Sequence, residues 1–306
     1  MNVRLALIRL GQGVITAFLV FTAVFFIMRL SGDPTLLFLP PDASQQDMER
    51  FRHDMGWDRP VVVQYFDYLG DVLTGDFGNS LAYGGSAFQV VWERLPATLE
   101  LTAAAFVLTV VISIPAGLFS AVKPRSIISQ IVMVVALLGQ AMPGFWLGVM
   151  MILLFSVRLG WLPTGGREGL INLIMPAIVL GSWGAAKITR LTRAGMMEVL
   201  GDDYIRTARS KGLPERLVLV RHALRNALLP VLSALGLTIG AMLGGAIITE
   251  TVFSWPGVGR LIVQSVLKRD FPVVQVATVL LAVIFLMSNL LVDILYTVVD
   301  PRIRYD

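Results

Sequence analysis

The residues of this chain that could do chemistry are concentrated in one basic stretch, residues 202–230. Asp202 or Asp203 can cap the start of a helix there, because an aspartate side chain accepts hydrogen bonds from the free backbone N–H groups of a first turn. Gly212 supplies a left-handed exit, and Pro214 cannot continue the helix. The stretch therefore predicts a short capped helix that presents cationic and small side chains to a soluble partner.

The side chains expected to make that docking contact belong to one segment of about three helical turns. They are Asp203, Tyr204, Arg206, Thr207, Ala208, Arg209, Lys211 and Gly212. The connection between the flanking apolar segments is about forty residues long, whereas a simple connection needs only a few. The extra length favours a functional role for this loop.

Composition excludes other kinds of chemistry. The chain has no Cys and only two His, which excludes disulfides, Cys nucleophiles and an imidazole metal cluster. It has no GxxxxGK[ST] loop, so any ATP that drives it is hydrolysed by another chain. Without HExxH or paired aspartates in neighbouring spans, an intramembrane enzyme has no candidate active site, and we expect no catalytic residue.

The elements that must position these residues are membrane helices. The chain is 56% hydrophobic and 15% charged, with a mean hydropathy of +0.74, whereas soluble domains carry about 25% charged residues. A span needs about 20 apolar residues. Six runs qualify: about 10–30, 97–122, 127–157, 170–189, 228–250 and 276–299. The first run exceeds the apolar core of a secretory signal and lacks a small-residue cleavage site, so we expect it to be retained.

The basic residues beside the spans predict the orientation, because cytoplasmic loops are enriched in Lys and Arg. Those at the termini and between spans two and three are Arg4, Arg9, Lys123, Arg125, Arg302 and Arg304. The loop 187–225 has nine basic and four acidic residues, whereas 31–95 has four Arg against ten Asp and Glu. Both termini and the loop are therefore expected in the cytoplasm, and 31–95 outside.

The long outer segment carries structural signals of its own. Pro40-Pro41 breaks the chain, and Ser44 with Asp47 predicts a helix start, with its end at Gly56. A second helix is expected from Val61 to Leu73. Four aromatic side chains suit a membrane–water interface: Trp57, Tyr65, Phe66 and Tyr68. The segment is either a cap on the outer surface or a docking platform for an external partner.

Two helix-breaking pairs fall inside the predicted spans, Pro115 with Gly117 and Pro143 with Gly144. Such breaks are tolerated in lipid where neighbouring helices or a water-filled cavity satisfy the freed backbone groups. Gln140 and Trp146 flank the second break. The second break is therefore either a kink caused by helix packing or part of the polar lining of a water-filled path.

Gly236, Gly240 and Gly244 share one face of the fifth span, because they are four residues apart. Small residues let another helix backbone approach closely. The groove is either packed within this chain or lies at a subunit interface, where it would act in gating.

Acidic residues of the spans do not form a proton relay, which places its acids at mid-membrane. Glu100, Glu250 and Asp293 lie near the ends of spans. Structural pairing is favoured for Asp293, for instance with Arg302, and Glu250 is kept as a candidate for the gate.

The basic loop resembles the signature of ABC-importer permease subunits, which reads Glu-Ala-Ala, three residues, Gly, and ends in Leu-Pro. Ala208 and Gly212 keep the Ala-to-Gly spacing, and Leu229-Pro230 supply the ending. Arg206 and Thr207 stand where the general motif has Glu and Ala, and the gap to Leu-Pro is longer. These departures match the peptide/nickel importer subfamily.

The resemblance covers nearly the whole chain. Its other patches are Gly32-Asp-Pro34, Asp58-Arg-Pro60, Gly75-Asp-Phe-Gly78, Val252-Phe-Ser-Trp-Pro-Gly-Val-Gly259, Arg269-Asp-Phe-Pro272, Asn289-Leu-Leu-Val-Asp293 and Asp300-Pro-Arg-Ile-Arg304. The first patch and the long outer loop favour the dipeptide permease B type.

The resemblance implies a type I ABC importer permease fold with six transmembrane helices in a bacterial inner membrane. We expect residues 1–96 to form the first helix and outer loop, and 97–306 a five-helix core containing the coupling loop, about 190–229. The implied partners are a homologous second permease, two ATPases that bind ATP and Mg, an extracytoplasmic binding protein and the lipid bilayer. No cofactor on this chain and no nucleic acid are implied.

Two questions stay open after the resemblance. Related members carry dipeptides, oligopeptides, glutathione, nickel chelates or certain sugars, and the residues do not select among these. A secondary transporter is the main rival, but it would show acids at mid-membrane and symmetry between its halves, and neither is found.

Overall fold

The structure is a computed structural model that describes residues 3–30, 32, 35, 39 and 43–299, with side chains from 11 to 289 within those ranges. Some predictions lie outside the described residues: the Asp33-Pro34 and Pro40-Pro41 pairs, the Asp293 side chain and its proposed pairing with Arg302, and the C-terminal basic residues.

The regular structure of the described residues is helical apart from one isolated bridge between Asn79 and Ser86. The helices are α1 (Val3–Leu30), α2 (Gln45–Asp54), α3 (Val61–Thr74), α4 (Ala87–Val122), α5 (Ile127–Ala141), α6 (Gly144–Met151), α7 (Leu170–Val199), α8 (Asp203–Ser210), α9 (Glu215–Leu217), α10 (Leu224–Val252), α11 (Val258–Leu267) and α12 (Phe271–Val299). Two π-helical segments follow α6 and α9, at Ile152–Arg158 and Val218–Ala223.

Five helical segments of the described residues are long and apolar enough to cross a membrane. They are Gly11–Leu30, Ala87–Val122, Leu170–Val199, Glu215–Val252 and Phe271–Asn289. The predicted third span is a pair, Ile127–Ala141 with Gly144–Arg158, bent by 111°. The predicted number of six is reached when this pair counts as one broken span.

The bend has a local cause at Pro143. The preceding residue, Met142, has an extended backbone at φ −79° and ψ 130° and ends α5, in agreement with the tendency of proline to disfavour the helical conformation in the residue before it. Pro143 is the N-cap of α6, at φ −61°. By contrast, α4 continues through Pro115 without a break.

Contacts divide the chain into two compact units. The central unit comprises Leu99–Trp255 and the chain from Met287 onward, and the N-terminal unit comprises Asn2–Thr98 with Pro256–Leu286. The predicted functional division at residue 96 stays a prediction.

The central unit is held together by close contacts of α7 with α4 and α10. A Cβ at Gly117 would lie 2.6 Å from Thr192 Cβ, and one at Gly184 would lie 2.6 Å from Thr238 Cγ2. These glycines are required because another helix occupies the space of a side chain. The apolar core between α7 and α10 includes Ile188 and Val231, both fully buried.

The N-terminal unit confirms the local signals of the outer segment. Ser44 accepts a hydrogen bond from the Asp47 backbone, and the Asp47 carboxylate accepts one from the Ser44 backbone, so a full capping box begins α2. Gly75 ends α3 in the left-handed conformation at φ +91°. The aromatic cluster of Phe21, Phe25 and Tyr65 packs α1 against α3.

A buried aspartate fixes the loop before α4. Asp270 accepts hydrogen bonds from Ser80 Oγ at 2.5 Å and from the Ala82 backbone N–H at 3.2 Å. Ala87, Val91 and Leu95 recur every four residues and bury the first turns of α4 against α11 and α12. This pattern explains why α4 begins ten residues before the predicted apolar run.

Candidate functional site

The predicted docking helix is present as α8. Its N-cap, Asp202, has an extended backbone at φ −71° and ψ 149°, but its side chain makes no capping hydrogen bond. The predicted aspartate cap is therefore wrong at the level of the side chain. The first turn instead uses the Asp202 carbonyl, which accepts from the N–H groups of Ile205 at 3.1 Å and Arg206 at 3.4 Å.

The predicted exit from this helix is confirmed at Gly212, which is left-handed at φ +74°. Its N–H donates to the Arg209 carbonyl at 2.9 Å, and the Lys211 N–H donates to the Thr207 carbonyl at 3.2 Å. A Cβ at Gly212 would meet nothing within 4 Å. The requirement for glycine is therefore conformational rather than steric.

One face of α8 is buried in the central unit. Ile205 is fully buried, and Ala208 is buried with it in a cluster that includes Met196, Val218 and Ala227. We expected Ala208 to contact a partner, and this orientation is wrong, because its methyl group packs against the chain's own helices. Among the described residues, Ala208 supports α8 and is not available for docking.

The opposite face of α8 is exposed and cationic. The exposed side chains of α8 and its C-cap are Asp203, Tyr204, Arg206, Thr207, Arg209, Ser210 and Lys211. A surface with this charge can meet an acidic groove.

Two side-chain contacts that the sequence did not reveal fix α8 to the chain that follows it. Arg209 forms two hydrogen bonds with Glu215, Nη2 to Oε1 at 2.7 Å and Nε to Oε2 at 3.1 Å. Asn226 Nδ2 donates to the Tyr204 hydroxyl at 2.7 Å. No local sequence motif marks Glu215 or Asn226 as the partners of these side chains.

The segment between α8 and the long helix α10 is π-helical over Val218–Ala223. π-Helical turns are rare and recur at functional sites. This one ends where the loop becomes the span, with Val218 and Ala223 buried in the same cluster as Ile205.

The candidate path residues around the α5–α6 bend differ in their surroundings. Pro143 is exposed, and Trp146 is 44% exposed. Gln140 Oε1 is buried and has no hydrogen-bond partner in the described part of the chain. The polar lining expected at this bend stays a prediction.

The glycine face of the fifth span is not uniform. Gly236 and Gly240 are buried within this chain, whereas Gly244 is exposed and a Cβ there would meet nothing within 4 Å. The first two therefore pack inside the subunit, and only Gly244 is available to another chain. Glu250 is fully buried near the end of α10.

Glu100, which the sequence left without a partner, forms an ion pair with Arg167. Arg167 Nη2 lies 2.6 Å from Glu100 Oε2, and the guanidinium lies 6.0 Å from the Trp255 ring centroid. The Gly166 N–H donates to the Phe253 carbonyl at 3.0 Å, which holds this loop against the end of α10.

No group of three or more His, Asp or Glu side chains in the described ranges could hold a metal ion.

Comparison with known proteins gives the family. Residues 113–305 match the family described as "Binding-protein-dependent transport system inner membrane component", and residues 2–102 match its N-terminal family. The chain is 44% identical over 293 residues to the oligopeptide transport system permease protein AppB of Bacillus subtilis, covering 92% of this chain and 93% of that protein.

A second relative and a solved structure are also similar to this chain. The glutathione transport system permease protein GsiC of Escherichia coli is 41% identical over 291 residues, covering 95% of each chain. A solved structure of the MetNI methionine ABC transporter in an inward-facing conformation shares the fold, with a TM-score of 0.55, 19% identity, 69% of this chain and 97% of that chain covered.

The chain therefore belongs to the inner-membrane permease components of binding-protein-dependent transport systems. It is a multi-pass, non-catalytic membrane subunit of a bacterial ABC importer with the type I permease fold.

Proposed function

We propose that this chain moves peptides or related small solutes from the periplasm to the cytoplasm, as one of two homologous permeases. Each permease docks one ATPase, ATP and Mg bind to the ATPases, and an extracytoplasmic binding protein delivers the substrate. The names of the relatives support the substrate class, because AppB is an oligopeptide permease and GsiC a glutathione permease.

The observation that carries the coupling role is the two-sided character of α8. Ile205 and Ala208 hold one face in the core of the central unit, and the face with Tyr204 and Arg206 is exposed. A force on the exposed face reaches α10 through the buried cluster and the Asn226 hydrogen bond. The coupling residues are Asp203, Tyr204, Arg206, Thr207, Arg209, Lys211 and Gly212, with Ala208 as internal support.

The path is assigned to the surfaces that this chain leaves uncovered. Gln140, Pro143 and Trp146 would line it at the α5–α6 bend, and Gly244 would face the second permease. Gly236, Gly240 and Glu250, which are buried, would support the path from within the subunit.

The orientation is part of the proposal: residues 31–95 outside, both termini and 190–225 in the cytoplasm. Because the chain has no Cys, single cysteines at Ser44 and Ser210 can be labelled with an impermeant reagent after outer-membrane permeabilisation. Both positions are exposed. We expect labelling at residue 44 only, and labelling at residue 210 only would contradict the orientation.

The function is tested with the complete transporter in proteoliposomes. We expect ATP-dependent uptake of peptide and stimulation of the ATPase by loaded binding protein, and neither activity from the purified chain alone. Uptake driven by an ion gradient without the ATPases would instead identify a secondary transporter. Ligands that raise the melting temperature of the cognate binding protein would identify the substrate.

A further inference from the structure

Two cavities in the N-terminal unit lie side by side and share lining residues. The first, here called the aromatic cavity, has a volume of about 350 Å³ and is lined by Arg29, Trp57, Tyr68, Arg269, Phe271 and Gln275, among others. The second, here called the acidic cavity, has about 330 Å³ and is lined by Arg29, Asp54, Gln64, Asp67, Tyr68 and Asp71, among others. Both volumes are within the range of small-molecule sites.

The described lining of the aromatic cavity has the chemistry of an anion site. Among the described residues, two arginines line it and no carboxylate does. The Arg29 guanidinium is held 5.4 Å from the ring centroids of both Phe25 and Phe271, and no carboxylate of the described residues pairs with it. A partly buried cation is stabilised by an anion that forms hydrogen bonds with it.

The acidic cavity has the complementary chemistry. Asp67 is paired with Arg59 at 3.2 Å. Asp54 and Asp71 form no ion pair within the described ranges, so their carboxylates are available to a cation. His53 and Arg59 also line this cavity, but His53 is paired with Asp58 and Arg59 with Asp67. The groups that remain are the shared Arg29 and the two carboxylates.

Two buried polar atoms at these cavities have no partner among the described residues, Tyr68 Oη and Gln64 Oε1. The amide orientation of Gln64 is defined, because its Nε2 donates to the carbonyls of Arg59 at 2.8 Å and Trp57 at 3.3 Å. Its oxygen is therefore left as an unpaired acceptor on a residue that lines the acidic cavity, and Tyr68, which lines both cavities, carries the second unpaired atom. Native proteins rarely leave such atoms unsatisfied unless a ligand or water completes them.

We propose that the two cavities together bind a short peptide with both termini free. Its carboxylate is bound by Arg29 in the aromatic cavity with a hydrogen bond from Tyr68, and its ammonium is bound by Asp54, Asp71 and Gln64 Oε1. Both cavities have volumes typical of small-molecule sites, and two or three extended residues span about 7–11 Å. The proposal rests on the proposed function, and it places a substrate site on the segment assigned to the outer side.

The test measures peptide binding to the purified complex of permeases and ATPases in nanodiscs, without binding protein. Equilibrium dialysis uses radiolabelled dialanine, trialanine and glutathione. We expect at least one to bind, and binding to be lost when both peptide termini are blocked. Arg29→Gln and Tyr68→Phe should weaken it about tenfold, as expected for hydrogen bonds to charged groups. Arg50→Gln, at an exposed residue of α2 outside both cavities, should leave it unchanged.

Tyr68→Phe keeps the ring, so its result does not depend on a risk of misfolding, and its melting temperature without peptide should equal or exceed that of the wild type. No binding by any of the three peptides, equal binding of blocked peptides, or unchanged binding in both cavity variants would overturn the proposal. Peptide binding that appears only when phosphatidylglycerol is left out of the nanodisc would assign the cavities to a lipid headgroup and also overturn it.

Measurements of peptide uptake distinguish a failure of the cavity site from a failure of the proposed function. Normal peptide uptake with an unchanged KM in Arg29→Gln and Tyr68→Phe would refute the cavity site alone. No uptake of any peptide by the complete wild-type transporter would refute the proposed function.

Discussion

The side-chain amide of Asn226 donates a 2.7 Å hydrogen bond to the hydroxyl of Tyr204. Tyr204 lies in the first turn of α8, and Asn226 lies in the first turn of α10, which runs without interruption to Val252. The bond therefore joins the short exposed helix to a helix that crosses the membrane. Together with the buried contacts of Ile205, this hydrogen bond fixes α8 to the start of α10.

The first prediction tests this connection with Tyr204→Phe, which removes the hydroxyl and keeps the ring. The lost hydrogen bond is worth about 0.5–1.5 kcal/mol, with the low end expected because Tyr204 is 39% exposed. Hydrogen–deuterium exchange of the amides of α8 should become a few-fold faster. Ser210→Ala is the control, because that hydroxyl bonds only within its own helix, to the Thr207 carbonyl. Equal exchange in both variants would argue against the connection.

The second prediction concerns the left-handed exit at Gly212. A β-branched residue there costs about 1–2 kcal/mol in backbone strain, whereas Asn tolerates this conformation. Gly212→Val should reduce ATPase stimulation by loaded binding protein, and Gly212→Asn should retain most of it. Since the space around the Cβ position is open, the two variants differ mainly in backbone preference. Equal activity would show that the exit conformation is unimportant for coupling.

The third prediction separates the two faces of α8. Ala208→Glu would bury a carboxylate beside Met196 and Val218, which is strongly unfavourable without a partner. It should lower the amount of folded permease. Arg206→Glu, on the exposed face, should leave folding and membrane insertion intact and reduce ATPase stimulation by reversing a docking charge. Protein yield and ATPase activity measured on both variants check this, and intact folding of Ala208→Glu would contradict the buried orientation.

The fourth prediction is a pH dependence in the segment before α3. A hydrogen bond between His53 Nδ1 and Asp58 Oδ2 at 2.8 Å raises the pKa of His53 above its ordinary value. Protonated His53 is stabilised by Asp58 in the folded chain. The contact therefore stabilises the fold fully at a pH below the His53 pKa of the unfolded chain, and this stabilisation is lost as the pH rises through the raised pKa of the folded chain. NMR titration should show a lower His53 midpoint in Asp58→Asn than in the wild type. An unchanged midpoint would mean that the contact is not formed in solution.

The parts of the fold that could be predicted depend on a few neighbouring residues. The capping box at Ser44, the break at Pro143 and the left-handed exit at Gly212 each follow from local backbone chemistry. The orientation of Ala208 could not be obtained in this way. It depends on Val218 and Ala227, which the tertiary fold brings to the same cluster.

The start of α4 was predicted wrongly although the sequence carries a signal for it. The apolar residues at 87, 91 and 95 recur every four positions, which indicates a helical face, but hydropathy alone placed the helix start at the apolar run. The cavity residues Arg29 and Tyr68 carry no such signal. They are almost forty positions apart in the chain and come together only through the packing of α1 against α3.

The last prediction concerns two glycines that the sequence does not distinguish, Gly184 and Gly244. A Cβ at Gly184 would lie 2.6 Å from Thr238 Cγ2. Thr238 is fully buried and its hydroxyl donates to the Ala234 carbonyl at 2.7 Å, so its side chain cannot turn away without losing that bond. Gly184→Ala should therefore destabilise the chain by about 1–3 kcal/mol through overpacking.

Gly244→Ala adds the same methyl group at an exposed position where nothing lies within 4 Å. It should leave the melting temperature of the isolated permease unchanged or slightly raised, because alanine favours a helix more than glycine does. Gly244→Leu should likewise spare the isolated chain but reduce transport if the second permease covers this face. Full transport by Gly244→Leu would place the face towards lipid. Loss of stability in the isolated Gly244→Leu chain would instead show that the position is packed within the subunit, because only an internal contact can act when the partner is absent.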